Sequence, residues 1–308
     1  MPPHRLSSTV LAIFGPTAAG KSAVAEAIAA RIPAELVSAD SAQVYRGLPI
    51  LTAQTPGRLV GIWPLSYEAS VAEYERLAHE AIDELLAVGR TPVVVGGTGL
   101  YLRAALAELE LPPAPRDGSR ERWQAFYEER GGEAAHRHLA SLDAAAAARV
   151  HPNDRRRVVR ALELVEVGQS LAPQADRLWG GETRHPTVIV GLDVPKDVLD
   201  PRIGARARAM FESGVEEEVR AALAQPLSAT ARKVMGLEEV AGLPREQAIE
   251  ALIARTRRYA AYQRKWMRRV PGLVMVAADR PPEETADAIL EVARARQQLP
   301  AAGAERAR

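Results

Sequence analysis

The chain of 308 residues contains no cysteine. Disulfide frameworks and thiolate metal sites are therefore excluded. Its charges nearly cancel as well, with 40 lysines and arginines against 39 aspartates and glutamates, so the total charge does not indicate nucleic acid as a partner. Only a local concentration of basic residues can provide a surface for such a partner.

Long apolar runs are missing too. No run reaches the roughly 18 residues that a membrane-spanning helix needs, and we expect no membrane partner. The N-terminus lacks the order of basic, apolar and small residues that marks a signal peptide, so we expect a cytoplasmic protein. The composition, 47% hydrophobic and 26% charged, is typical of a globular protein with one large or two modest domains.

Short apolar segments alternate with helical ones in the first hundred residues. Apolar segments at 8–14, 34–40 and 90–99 predict strands, and helical spacing at 21–32 and 70–89 predicts the helices between them. Buried strands that alternate with helices predict a parallel α/β sheet. Ligands of such sheets bind beyond the carboxyl ends of the strands, where the polar and glycine-rich motifs of this chain fall.

A proline-rich segment at 110–119 interrupts this pattern. Helical patterns follow it, and an apolar strand segment returns only at 187–194. We therefore predict one α/β core made of residues 1–119 and 186–308, with an α-helical insertion domain at 120–185.

A phosphate-binding motif, "GPTAAGKS", stands between the first predicted strand and the first predicted helix. It matches G-x-x-x-x-G-K-[ST], in which backbone N–H groups surround phosphate oxygens, Lys21 neutralises charge and the Ser22 hydroxyl can ligate Mg²⁺. The motif predicts a P-loop NTPase-like fold and a bound di- or triphosphate. The residues expected to hold it are Gly15, Pro16, Thr17, Ala18, Ala19, Gly20, Lys21 and Ser22.

A P-loop ATPase also needs an acidic residue at the end of a neighbouring strand to organise Mg²⁺. The strand at 93–95 ends in Gly96, Gly97 and Thr98, with no carboxylate. Asp40, which follows another strand, is the nearest candidate, and it could instead abstract a proton from a nucleophile or form only a local Asx-turn. This pattern disfavours the use of ATP and leaves a small-molecule kinase as an alternative.

Five segments occur in a specific order: "GPTAAGKS", "VSADSAQVYRGLPILTAQT", "VVVGGTGLYLRA", "RVHPNDRRRVVRALEL" and "TRRYAAYQRKWMRR". Together they resemble the tRNA dimethylallyltransferase family, from Val10 to about Asp279. The resemblance implies that the loop holds dimethylallyl diphosphate with Mg²⁺ and that no ATP is consumed. It also implies that the acceptor is the exocyclic amine of a flipped adenosine directly 3′ of the tRNA anticodon.

The resemblance also assigns roles to residues. Asp40 corresponds to the family's proposed general base. Chemistry agrees, and it adds a role for Lys21, since departure of the diphosphate needs the cations that Lys21, Ser22 and Mg²⁺ bring together. Thr98, for which a helix N-cap is the alternative, and Arg120 correspond to tRNA contacts. The segment expected to contact the target adenine is Asp40, Ser41, Ala42 and Gln43.

Two basic segments are candidates for binding the tRNA. A helix predicted to begin after Asn153 or Asp154 carries Arg156, Arg157 and Arg160, which suit phosphate contacts. The alternative is a solvated face with internal pairs such as Arg160 to Glu163. The second segment, 255–269, interleaves basic residues with two tyrosines and Trp266, and we expect its arginines outside and its aromatic rings inside.

The chain departs from the family pattern at several points, of which Gln54, standing where a lysine is common, is the clearest. These departures concern expected tRNA contacts more than the diphosphate site. Two further alternatives are a non-catalytic RNA-binding protein and a prenyltransferase that acts on free adenine nucleotides. We expect the protein to be a monomer.

Overall fold

The structure is a computed structural model that describes residues 9–109, 111, 116, 118–172, 178 and 180–298. Five strands and thirteen α-helices form within these residues. The strands are β1 (Val10–Phe14), β2 (Ala34–Ser38), β3 (Thr91–Gly96), β4 (Thr187–Asp193) and β5 (Val274–Ala277). The helices are α1 (Lys21–Ala29), α2 (Pro49–Thr52), α3 (Val71–Ala87), α4 (Gly99–Leu106), α5 (Ser119–Arg130), α6 (Gly132–Leu142), α7 (Ala144–Ala147), α8 (Arg155–Val165), α9 (Lys196–Glu212), α10 (Val215–Leu223), α11 (Leu237–Gly242), α12 (Arg245–Met267) and α13 (Pro282–Gln298).

The five strands form one sheet in the order β2-β3-β1-β4-β5, and every pair in it is parallel. All five residues of β1, the central strand, are buried. Leu11 in β1 pairs with Val93 on one side and Val188 on the other. The parallel α/β sheet predicted from the sequence is thus confirmed, and its carboxyl edge brings the ends of β1, β2 and β3 together.

Strand β5 was not predicted from the sequence. It has four residues and lies at the edge of the sheet, where Val276 is buried and Met275 is half exposed. So short a strand gives no clear alternation of apolar and polar residues. In the sheet it pairs with β4 and leads into α13, whose Ile289 and Leu290 pack in the same core as α1.

The chain divides into two compact units. One consists of Met1–Glu108 and Leu178–Arg308, and holds the sheet; the other, Leu109–Arg177, is helical. The helical unit has its own core, in which Leu139, Val158 and Leu162 are fully buried beside Trp123. No helix in the described part of either unit combines the length and apolarity needed to cross a membrane.

Candidate active site

The phosphate loop connects β1 to α1. Two of its residues have left-handed backbone conformations, Ala18 with φ 66° and Gly20 with φ 85°. Glycine adopts this region without cost, whereas a residue with a Cβ pays about 1 kcal/mol or more, so Ala18 marks local backbone strain in the loop. The loop thus has the strand-loop-helix context that the motif predicts, and Lys21 and Ser22 open α1.

Lys21 is folded back onto its own loop. Its ammonium group donates to the carbonyl oxygens of Gly15 at 3.0 Å and Pro16 at 2.9 Å. The pKa of Lys21 is lowered to about 8, mainly because the ammonium group is buried; the negative charge of Asp40 opposes this effect, and the positive charge of Arg206 adds to it. The ammonium group therefore lies in an environment that calls for an anionic ligand.

Asp40 follows β2 and makes the Asx-turn that was one of its three predicted roles. Its Oδ1 accepts the backbone N–H of Ala42 at 2.9 Å. The carboxylate also acts on its surroundings. Burial lowers the pKa of the Arg206 guanidinium, and the negative charge of Asp40 opposes this shift. Burial and, after it, the charge of Asp40 raise the pKa of Tyr259 to about 12. The charge of one carboxylate thus acts on both Lys21 of the phosphate loop and Arg206 of α9.

Glycines at the end of β3 and the start of α4 allow two close approaches. A Cβ on Gly96 would lie 2.0 Å from the carbonyl oxygen of Ala39, and a Cβ on Gly99 would lie 2.1 Å from the ring of Trp266. Both distances are far below van der Waals contact, so larger residues would force the end of β3 away from the Asp40 segment or from α12. The glycine-rich motif is therefore a packing requirement of the site.

Thr98 occupies the N-cap position of α4 but makes no capping hydrogen bond with its side chain. Its hydroxyl instead lies 3.4 Å from the backbone nitrogen and the hydroxyl of Ser41 and 3.3 Å from the hydroxyl of Tyr259. Thr98 thereby joins the end of β3 to the segment that follows β2 and to α12.

Gln43, expected at the adenine, is committed to the protein's own backbone. Its amide nitrogen donates to the carbonyl oxygens of Thr52 and Ala53, and its amide oxygen accepts the hydroxyl of Ser38. Gln54, the departure from the family pattern, donates to the carbonyl oxygens of Gln43 and Tyr45 at 3.3 and 2.6 Å. The two amides fix the shape of the loop between β2 and α2.

The structure offers one protein ligand for a metal at the loop, the hydroxyl of Ser22. No group of three or more acidic, histidine or cysteine side chains suited to a metal occurs in the described residues. Ser22 borders a small cavity of about 20 Å³ that is also lined by Ser38 and Gln43. This donor set fits Mg²⁺, which commonly keeps several water ligands and takes the rest from substrate phosphates.

Gln263 on α12 connects two of the loops. Its side chain is 1% exposed. The amide oxygen accepts the backbone N–H of Thr17 in the phosphate loop at 2.8 Å, and the amide nitrogen donates to the carbonyl oxygen of Gly97 at 2.8 Å. Gln263 thus holds the loop after β1 against the loop after β3.

Two residues of this site, Gln263 and Arg206, were missed in the sequence. Gln263 lies inside a segment interpreted as a basic RNA-binding surface with its aromatic rings inside. It is one of four buried positions there, with Thr256, Ala260 and Met267, and the helical spacing of these uncharged residues was the available signal. Arg206 belongs to α9, which has several arginines and no motif. Nothing in its local sequence distinguishes it from them.

The four arginines of the helical unit that were predicted to contact tRNA divide into a pair bound to a buried carboxylate and an exposed pair. Arg120 and Arg160 both contact the carboxylate of Glu163, each at 2.9 Å, and Glu163 is 1% exposed. The pairing predicted as the alternative role of Arg160 is therefore present. Arg156 and Arg157 are exposed on α8, which begins after Asp154, whose side chain accepts the backbone N–H of Arg157.

An exposed stripe runs along α12. It consists of Arg258, Tyr262 and Lys265, which recur at the four- and three-residue spacing of one helix face. Tyr262 is 54% exposed and stacks on Tyr259, with ring centres 6.4 Å apart. The expectation that the aromatic rings lie inside is wrong for Tyr262, because its neighbours three and four residues away are solvent-facing cations. Trp266 is half-buried against Gly99.

Comparison with known proteins agrees with this geometry. The sequence model of the IPP transferase family matches residues 43–270. A tRNA dimethylallyltransferase of Thermobifida fusca is 40% identical over 89% of this chain and 91% of that protein, and one of Streptomyces coelicolor is 42% identical over 85% and 88%. The crystal structure of the full-length tRNA isopentenylpyrophosphate transferase of Bacillus halodurans is 31% identical, with a TM-score of 0.66 over 94% of this chain and 98% of that one.

The family match covers most of the chain, and the relatives align with it over nearly their whole length. The solved relative shares its fold with 94% of this chain. The resemblance seen in the sequence motifs is confirmed: the chain belongs to the IPP transferase family.

Proposed function

We propose that the protein transfers a dimethylallyl group from dimethylallyl diphosphate to the exocyclic amine of the adenosine 3′ to the anticodon of tRNA, releasing diphosphate. The observation that carries this proposal is that the negative charge of Asp40 acts on both Lys21 and Arg206, raising the pKa of each against the lowering caused by burial. It puts a proton acceptor beside the cations that receive the diphosphate. Because the acceptor is tRNA, we place the reaction in the cytoplasm.

The phosphate loop binds the donor. The N–H of Thr17 is committed to Gln263 and that of Ala19 donates to the carbonyl of Pro16, so the other backbone amides of the loop are those left for the diphosphate. Lys21 has three N–H donors, of which two are used by carbonyl oxygens, and the third is free for a phosphate oxygen. Arg206 adds a second positive charge.

The transfer forms a bond between the amine nitrogen of adenosine and the first carbon of the dimethylallyl group while the bond from that carbon to the diphosphate oxygen breaks. The bonding electrons leave with the diphosphate, where Lys21 and Arg206 stabilise the developing charge. The exocyclic amine is a weak nucleophile, and Asp40 accepts its proton as the new bond forms.

Ser22 is the residue whose hydroxyl would hold Mg²⁺, and diphosphate oxygens and water would supply the other ligands. A bound Mg²⁺ supplies further neutralisation of the leaving diphosphate.

The tRNA is bound by cations and by an aromatic ring. The exposed stripe on α12 offers Arg258 and Lys265 to phosphates and the ring of Tyr262 to an unstacked base. Arg156 and Arg157 of the helical unit offer further phosphate contacts. An enzyme that modifies a base amine takes that base out of the stack, and Thr98 and Ser41 lie beside Asp40 to receive it.

The test is transfer of labelled dimethylallyl groups to unmodified tRNA with Mg²⁺ and without ATP, followed by nucleoside analysis. Label on the adenosine next to the anticodon is the expected result. The matched variant Asp40→Asn keeps the shape of the side chain and should lose most of the activity. If the label remains in unreacted dimethylallyl diphosphate and ATP instead phosphorylates a small acceptor, the result would support the kinase alternative.

A further inference from the structure

Gln263 joins parts of the chain that are far apart in sequence. Its oxygen reaches Thr17, 246 residues away, and its nitrogen reaches Gly97, 166 residues away. The bond to Gly97 is buried and the side chain is 1% exposed. Water therefore cannot easily replace either contact when the amide is removed.

Each of the two loops also has support of its own. In the phosphate loop, Lys21 donates to two carbonyl oxygens and the N–H of Ala19 reaches the carbonyl of Pro16 at 3.2 Å. After β3, the N–H of Leu102 donates to the carbonyl of Thr98 at 2.9 Å. Gln263 adds a bridge between the two loops, and this bridge fixes the distance between them.

The loops serve different substrates in the proposed function. The phosphate loop holds the donor, while Thr98 contacts Ser41 next to the base Asp40, on the acceptor's side. Resting on that function, we infer that Gln263 is a positioning residue: it sets the distance between the bound donor and the acceptor amine. Misplacement of reacting groups by about 1 Å can cost roughly 100-fold in rate.

A substitution at Gly97 provides a second way to disturb the contact between Gln263 and the loop after β3. A Cβ on Gly97 would lie 2.2 Å from the Gln263 amide nitrogen and 3.5 Å from the carbonyl oxygen of Gly15. Alanine at this position would therefore displace the Gln263 side chain without changing it. Two variants on separate elements can thus perturb one interaction.

The experiment measures kcat and KM for both substrates in Gln263→Met, Gly97→Ala and the double variant. Methionine has nearly the shape of glutamine and makes neither hydrogen bond. We expect kcat to fall about 100-fold in each single variant, with both KM values within about threefold of wild type. The double variant should lose little more than either single one, because both break the same contact.

Gln247→Met is the matched control, since Gln247 is exposed on the same helix and the substitution should leave kcat unchanged. Thermal unfolding of every variant reports whether the fold persists, and Gly97→Ala keeps the test open if Gln263→Met does not fold. Unchanged kcat, a loss confined to KM, or full additivity in the double variant would overturn the inference. A wild-type protein without transfer activity would instead refute the proposed function, and the inference with it.

Discussion

The low pKa of Lys21 predicts a measurable effect of pH on stability. Burial lowers this pKa from 10.5 to about 8 in the folded protein, whereas the unfolded chain keeps an ordinary lysine. Below pH 8 the lysine is protonated in both states, and the folded state pays about 3 kcal/mol for the buried charge. As pH rises from 8 to 10.5, only the unfolded state still holds the proton, so the cost disappears.

The perturbation is Lys21→Met, which removes the charge at every pH. Relative to this variant, wild type should become more stable by about 2.5 kcal/mol between pH 7 and pH 10. Urea unfolding of both proteins at the two pH values gives this difference. Loss of the Lys21 hydrogen bonds also changes the difference in unfolding free energy between wild type and Lys21→Met. It shifts that difference at every pH and has less effect on how the difference varies with pH.

Lys196→Met is the matched control, because Lys196 is exposed on α9. A stability gap between wild type and Lys21→Met that stays constant within about 0.5 kcal/mol would refute burial as the main cause of the lowered pKa. Binding should show the opposite trend. Affinity for dimethylallyl diphosphate should fall as pH rises through 8, since the cation that meets the phosphate is lost.

Three further predictions concern other parts of the site and the helical unit. Asp40→Asn should keep donor affinity at pH 7 but weaken it at pH 8.5, because the carboxylate no longer supports the charge of Lys21; equal affinity at pH 8.5, measured by calorimetry, would contradict this. Gly96→Ala should yield little soluble protein, since its Cβ would meet the Ala39 carbonyl at 2.0 Å, and normal expression with an unchanged melting temperature would argue against that clash. Glu163→Gln should destabilise the protein by about 2 kcal/mol in urea by leaving two arginines without their buried carboxylate.

Local patterns made much of the fold predictable. Strand β1, the phosphate loop and α1 follow one another within twenty residues, and each has its own signature in apolar runs, glycine spacing or helix formers. The end of β3 was equally clear, because a glycine pair after a buried strand is a strong signal. Asp154, one of two candidates for the start of α8, is the N-cap in the structure.

The contacts that complete the site were not predictable in this way. Gln263 and Arg206 act on residues far away in the chain, and no local pattern encodes which side chain of a helix will face a distant loop. Thr98 stands where a capping residue is expected, yet tertiary contacts take its hydroxyl. Gln43 shows the reverse, since a residue of a recognised motif turns out to be held by its own loop.

The central place of β1 in the sheet has a consequence for how the chain is made. β1 lies between β3, which ends at Gly96, and β4, which begins at Thr187. At ribosomal speed the intervening segment takes on the order of ten seconds to synthesise. During this time the nascent protein holds its first strand with one edge unpaired. The helical unit, which is translated in that interval and has its own core, can fold before the sheet that carries the phosphate loop is finished.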